Sequence, residues 1–337
     1  MKIKVLVVDD SALIRSLMTE IIRKSHDMEL VGTAQDAFVA RDLVNKFSPD
    51  VITLDIEMPK VDGLTFLSRL MKARPTPVVM MSTLTQEGAE ATFKSLELGA
   101  VDFIAKPSFD VVNGINQYSE LITEKIRAAY QANVKRKPRR HSPALQTFKS
   151  SKKTKLIAIG ASTGGTEAIR QLLECFPANS PGIVITQHLP AGFTQSFAER
   201  LNRLTQLNVY EAKGGEKIVT GTAYLAPGGK HLTVIKVGGD FITQLDDSEK
   251  VCGHKPSVDL MFNSLAEFGM DNVTAIILTG MGKDGAQGMK KIYKNGGYTI
   301  AQSEATSVVF GMPREAIKLQ AVNNVLDLDE IAGEVFS

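Results

Sequence analysis

Through roughly the first 125 residues, short apolar runs alternate with longer amphipathic stretches. The runs at 3–8, 30–34, 51–54, 77–81 and 102–105 lack the polar alternation of a half-exposed sheet, and the stretches at 12–23, 37–47, 64–73 and 87–98 repeat their apolar positions at helical spacing. Strands that are apolar on both faces and separated by helices predict a parallel sheet covered on both sides. The first unit therefore reads as an α/β domain of the doubly wound (βα)5 type. In such sheets, ligands gather at the carboxyl ends of the strands.

The same rhythm returns after residue 155. Strands are predicted at 156–159, 183–186, 222–225, 275–278 and 299–301, and helices near 167–175, 194–203, 258–268 and 286–295. One β-hairpin interrupts the alternation, with strands at 232–237 and 241–245 on either side of Gly238-Gly239-Asp240, a strong turn signal. The second unit reads as another doubly wound parallel sheet, Rossmann-like, carrying a hairpin.

Composition agrees with two folded units and excludes several other classes. The chain has 337 residues, 43% apolar and 23% charged, which is a globular composition and not that of a disordered, collagen-like or disulfide-scaffold protein. Its two cysteines, Cys175 and Cys252, are too few for a disulfide framework and suggest a reducing cytoplasm. The apolar run that ends at Val8 is cut by Asp9-Asp10, too short for a signal peptide, and no run approaches the ~20 residues of a membrane helix.

The overall charge of +2 hides a partition. Residues 1–130 hold 15 Lys/Arg against 18 Asp/Glu, residues 131–155 hold 9 against none, and residues 156–337 hold 15 against 19, giving −3, +9 and −4. The basic segment contains Lys135-Arg136-Lys137-Pro138-Arg139-Arg140 and Lys152-Lys153, with serines and prolines and no apolar periodicity. It reads as a flexible linker over 126–154, between a domain at 1–125 and one at 155–337. A nucleic-acid patch is the alternative reading of such a run.

Three carboxylates are expected to converge at one rim of the first sheet, because Asp9 and Asp10 close its first strand and Asp55 its third. Like charges this close repel unless a cation sits among them, and hard carboxylate oxygens suit Mg²⁺. The ends of the fourth and fifth strands add Ser82, a hydroxyl donor, and Lys106, a compact cation suited to a phosphoryl oxygen. Acids, cation, hydroxyl and ammonium together describe a site for phosphorylating a carboxylate. The bland reading is that the aspartates complement a helix dipole and Lys106 is a surface charge.

These residues carry a resemblance. Val7-Val8-Asp9-Asp10-Ser11, Leu54-Asp55-Ile56-Glu57-Met58-Pro59 with Asp62-Gly63, Met81-Ser82 and Ala105-Lys106-Pro107 resemble the receiver domain of two-component response regulators. The resemblance implies that Asp55 accepts a phosphoryl group from a histidine kinase, that Asp9 and Asp10 bind Mg²⁺ with Asp55, and that Ser82 and Lys106 sense the phosphate. It also implies an aromatic switch residue, for which Phe103 is the candidate.

In the second unit, Gly160-Ala161-Ser162-Thr163-Gly164-Gly165 follows a predicted strand and opens a predicted helix. A serine on such a turn is presented as in the G-x-S-x-G elbow. A phosphate loop is the competing reading, but neither the G-x-G-x-x-G spacing nor a Lys-Ser/Thr pair is present. The serine needs a base. Of His26, His141, His188, His231 and His254, only His188 directly follows a predicted strand, at the carboxyl edge beside the elbow. His254 is the candidate substrate-side residue. The acid that would orient the imidazole is Asp284, in Leu278-Thr279-Gly280-Met281-Gly282-Lys283-Asp284-Gly285, again after a strand. Its structural alternative is an N-cap of the helix starting near Ala286.

The order Ser162, His188, Asp284 differs from that of ordinary α/β-hydrolases, where the acid precedes the histidine. Together with the receiver motifs, Gly160–Gly165, Gln187-His188, His254-Lys255-Pro256-Ser257-Val258-Asp259 and 278–285 make the whole chain similar to the protein-glutamate methylesterase family of chemotaxis response regulators. The resemblance implies a phosphorylation-activated, cytoplasmic serine hydrolase. It would cleave glutamate methyl esters, and deamidate particular glutamines, on the cytoplasmic helices of chemoreceptors, with a chemotaxis histidine kinase as phosphodonor. Backbone N–H groups of Thr163 and Met281 would form the oxyanion hole, Mg²⁺ would serve only the receiver, and the unphosphorylated receiver would cover the catalytic face. A response regulator with an inactive or DNA-binding output domain is the alternative. The net −4 of the second unit and the lack of a basic recognition helix disfavour DNA.

Overall fold

The structure, a computed structural model, describes residues 2–83, 85–107, 115–134, 154–268 and 273–337. The chain divides into two compact units, residues 1–137 and 138–337.

In the first unit, β1 (Ile3–Val8), β2 (Met28–Ala34), β3 (Val51–Asp55), β4 (Val78–Ser82) and β5 (Asp102–Ala105) form one parallel sheet in the order β2-β1-β3-β4-β5. Between them run α1 (Ala12–Lys24), α2 (Ala37–Phe47), α3 (Gly63–Ala73) and α4 (Gln86–Glu97), and α5 (Ile115–Gln131) follows β5. Strands β3 and β4 are buried throughout, the reason their sequences are continuous apolar runs. The register pairs Asp55 at the end of β3 with Met81 and Val8 at the end of β1 with Leu54, so the residues that follow β1 and β3 share one rim.

One boundary needs correction. The linker was expected to start at residue 126, yet α5 continues to Gln131, with Ile126, Ala128 and Ala129 buried. These apolar side chains pack the last turns of a helix that the basic segment beyond them obscures in a charge profile. Residues 135–153 of the expected linker lie outside the described residues.

The second unit is built on a seven-stranded sheet in the order β14-β13-β12-β6-β7-β9-β8, all strands parallel. Its members are β6 (Leu156–Ala161), β7 (Gly182–Gln187), β8 (Asn208–Glu211), β9 (Thr222–Leu225), β12 (Val273–Ile277), β13 (Tyr298–Gln302) and β14 (Asn324–Leu326). The helices are α6 (Gly165–Glu174), α7 (Thr194–Leu204), α8 (Val258–Ala266), α9 (Ala286–Lys294), α10 (Met312–Lys318) and α11 (Leu328–Phe336). The hairpin pairs β10 (His231–Val237) with β11 (Asp240–Asp246), and its turn is the two glycines alone, both at positive φ. Central strands β6, β7 and β12 are fully buried, and Val258, Met261, Phe262 and Leu265 of α8 pack into the same core as Ala286, Met289 and Ile292 of α9.

Candidate active site

The register of the central strands sets the site. Ala161 at the end of β6 lies opposite Gln187 at the end of β7, and the His188 N–H donates to the Ala161 carbonyl at 3.2 Å. Ser162 and His188 thus leave adjacent strand ends together. From the other side, β12 pairs with β6, and the Ser162 N–H donates to Thr279 O at 3.0 Å. Three strand ends therefore meet at one rim.

Ser162 opens a tight turn. Gly165 N–H returns to Ser162 O at 2.7 Å, and Gly164 between them has φ 76° and ψ −4°, the third position of a type II turn that only a residue tolerating positive φ fills cheaply. Helix α6 begins at once, leaving Ser162 7% exposed.

His188 Nε2 lies 2.8 Å from Asp284 Oδ2. An ionised carboxylate only accepts, so the imidazole carries its proton on Nε2 and its lone pair on Nδ1. Nδ1 is buried and has no hydrogen-bond partner among the described residues. No hydrogen bond joins it to Ser162 Oγ among the described residues, and such contacts are commonly long before substrate arrives. The His254 ring stacks on His188, centroids 3.8 Å apart and planes 14° from parallel.

Asp284 is anchored from a second direction. Its Oδ1 accepts from Ser257 Oγ at 2.8 Å and Asp259 N at 2.9 Å, and its Oδ2 from Val258 N at 2.7 Å, so the carboxylate sits on the amino end of α8. Burial pushes its pKa up, but the hydrogen bond from His188, with those from the Asp259 and Val258 N–H groups, outweighs this and holds it below the ordinary carboxyl value. Asp284 is not the N-cap of α9, as its structural alternative had it: that position is Gly285, without a side-chain cap, and Asp284 caps the neighbouring helix instead.

Several supporting residues carry no chemistry that sequence reasoning singled out. Ser257 is the N-cap of α8 and also bonds Asp284. His231 is fully buried, accepts from Ser257 N at Nδ1 and contacts Glu249 O through Nε2, so it braces Ser257 and stays away from the reacting atoms. The Ser-x-Asp pattern at 257–259, ahead of an apolar stretch, was the available signal for this helix start.

In the first unit, Asp9 and Asp55 are 1% and 2% exposed, and Lys106 Nζ lies 3.0 Å from Asp9 Oδ2 and 2.7 Å from Asp55 Oδ2. Oxygens of Asp9, Asp10 and Asp55 lie within 4.8 Å of one another, with Asp10 exposed at the rim. Burial, helped by the Asp9 charge and opposed by Lys106, pushes Asp55 up to about 6, and burial also raises Asp9. Two clustered carboxylates that one lysine only partly compensates form a donor set suited to a hard divalent cation. Ser82 is buried at the end of β4, but its hydroxyl bonds Gly88 O and accepts from Thr92 Oγ1. Phe103 is buried on β5.

Fold and sites define a receiver domain joined to an α/β domain of serine-hydrolase type. The chain belongs to the CheB methylesterase family, whose profile matches residues 157–335, and residues 5–113 match the response regulator receiver domain. It is 58% identical to a protein-glutamate methylesterase/protein-glutamine glutaminase of Shewanella sp. MR-4, over 100% of this chain and 98% of that one. A Salmonella typhimurium enzyme of the same description is 52% identical over 100% and 97%. The crystal structure of the Thermotoga maritima CheB methylesterase catalytic domain superposes with a TM-score of 0.53 at 38% identity, covering 54% of this chain and 97% of that one. Among the described residues no helix is long and apolar enough to cross a membrane.

Proposed function

We propose that this chain is a protein-glutamate methylesterase and protein-glutamine glutaminase whose hydrolytic centre is Ser162, His188 and Asp284. The observation that carries the reading is the His188–Asp284 contact at 2.8 Å, with the opposite ring nitrogen buried and unpartnered beside the strand end that presents Ser162. Asp284 fixes the imidazole tautomer and stabilises the imidazolium. His188 Nδ1 takes the Ser162 proton as Oγ attacks the ester carbonyl, and returns it to the departing methanol. Water, deprotonated by the same nitrogen, then releases glutamate and restores Ser162. With a glutamine side chain the leaving group is ammonia.

The developing oxyanion is held by the N–H groups of Thr163 and Met281. Support comes from the carbonyl partners of those two amides. Ser162 O accepts from Gly165 N, and Gly280 O accepts from Gly311 N at 3.1 Å and Met312 N at 2.8 Å. In a planar trans peptide the N–H points away from its carbonyl, so both N–H groups are turned from those contacts.

In the receiver, Asp55 is the phosphoryl acceptor, Lys106 and Ser82 are the phosphate-sensing pair, and Asp9, Asp10 and Asp55 would hold Mg²⁺, which supplies charge neutralisation for phosphoryl transfer. The substrates are methylated cytoplasmic helices of chemoreceptors and the phosphodonor is a chemotaxis histidine kinase. No nucleic acid or membrane insertion is involved, and the enzyme works in the cytoplasm. Methanol release from methylated receptor, with and without a small phosphodonor, tests chemistry and control together. Turnover that rises with the phosphodonor is expected. Absence of methanol in both arms would refute the reading.

A further inference from the structure

We infer that Gln187 is a positioning residue for the oxyanion site, aligning the Ser162–Thr163 amide through its side-chain NH₂ group. This rests on the reading of Thr163 N–H as an oxyanion donor.

Gln187 is 3% exposed at the end of β7. Its Nε2 donates to Ser162 O at 2.9 Å and reaches His188 O at 3.4 Å, so one amide group spans the backbones of the nucleophile and the base. The opposite amide orientation would set a carbonyl oxygen against two carbonyls, which fixes the assignment. Gly165 N–H alone constrains Ser162 O within the turn plane. A second donor arriving from another strand fixes the tilt of the whole Ser162–Thr163 peptide, and with it the direction of the Thr163 N–H.

The other half of the side chain has no such use. Among the described residues Gln187 Oε1 is buried without a hydrogen-bond partner, and it lies where a Cβ on Gly165 would approach it to 2.1 Å. Burying an unpaired carbonyl is unfavourable, so an apolar side chain of equal length would fill this space better. What it could not supply is the donor to Ser162 O. The arrangement parallels the other proposed donor: Gly280 O, the carbonyl of the Met281 amide, is also held by two N–H groups, those of Gly311 and Met312. In the turn that bears Ser162 one backbone donor reaches the carbonyl among the described residues, and a side chain takes the second place.

The test is Gln187→Met in the full chain, which keeps length and volume and removes both the NH₂ donor and the orphaned oxygen. Active sites are counted by fluorophosphonate titration, and kcat and KM for methanol release are taken per titrated site, alongside the melting temperature. The expected result is a fall in kcat of about 10–100-fold, smaller than the ~10²–10³ for deleting a donor outright, with KM within about two-fold and the melting temperature unchanged or higher. Affinity for a boronic acid, which forms a tetrahedral adduct on the serine, should fall by the same factor as kcat/KM. Gln187→Glu, which replaces the donor by an acceptor, should lose at least as much and serves if the methionine variant does not fold. Wild-type kcat per site in whichever variant folds overturns the inference. So does a loss confined to melting temperature and titratable sites. Failure of the underlying serine mechanism would show separately, as methanol release by Ser162→Ala.

Discussion

Asp259 and Asp284 cap each other's helices. Asp284, just ahead of α9, accepts the Asp259 N–H at the start of α8 at 2.9 Å, while Asp259 Oδ1 accepts the Gly288 N–H at the start of α9 at 2.7 Å. The acid that faces His188 is therefore held by the junction of two packed helices. The two carboxylates are shifted in opposite directions: burial and the Asp284 charge raise Asp259, whereas Asp284 is held low.

Asp284→Asn tests that division. An NH₂ at the Oδ2 position would face both His188 Nε2 and the Val258 N–H, reversing the imidazole tautomer and leaving that buried N–H without its acceptor, whereas an NH₂ at the Oδ1 position would instead deprive the Asp259 N–H. Methanol release should fall on the order of 10³–10⁴-fold, and thermal unfolding should show a loss of about 1–3 kcal/mol. A variant that keeps wild-type turnover would remove Asp284 from the mechanism.

The stacked His254 ring offers a graded test. An aromatic pair contributes about 0.5–1.5 kcal/mol beyond area, so His254→Ala, by loosening the His188 ring, should lower kcat about 2–10-fold. His254→Phe should restore most of it, since the flat face is kept. If phenylalanine is as poor as alanine, the ring's polar atoms and not its stacking matter.

In the receiver, Asp55 makes stability depend on pH. Its folded pKa, about 6, is above the ordinary 3.8, so the folded state binds the proton more tightly than the unfolded chain and loses stability as pH rises from about 4 to about 6. The charged form costs on the order of 3 kcal/mol above that window. Asp55→Asn never ionises. In metal-free buffer it should raise the receiver's unfolding transition more at pH 7.5 than at pH 5, and added Mg²⁺ at pH 7.5 should narrow the gap by stabilising the wild type. An advantage that grows on acidification would contradict this account.

The same substitution separates chemistry from control. Asp55→Asn should keep the basal rate of methanol release and lose its stimulation by a phosphodonor, and deleting residues 1–150 should raise the basal rate. Unchanged activity in the shortened chain would refute a covering role for the receiver.

Much of this architecture is legible before any coordinates because buried parallel strands are written as unbroken apolar runs, as in Val51–Asp55 and Leu156–Ala161. Helices α5 and α10 have no predicted counterpart, and among the other unpredicted elements the signal itself is weak. Strand β8 is an edge strand with alternating exposure, and β14 is three residues long with none fully buried, so neither has the run. Helix α11 was marked only by its capping box, Asp327 with Glu330. At the site, motif spacing brings out residues that follow strands, such as Ser162, His188 and Asp284. Gln187, Ser257 and His231 act through hydrogen bonds between segments far apart in the chain, such as Ser257 to Asp284, and no local pattern encodes those.

The most direct test of the central claim is to find which side chain is the nucleophile. Wild-type protein is treated with a fluorophosphonate, digested, and the adduct located by mass spectrometry, while methanol release is followed in parallel for wild type and Ser162→Ala. The account predicts one adduct, on Ser162, absent from the alanine variant, together with loss of ester turnover. An adduct on another residue, or methanol release by Ser162→Ala at the wild-type rate, would contradict it.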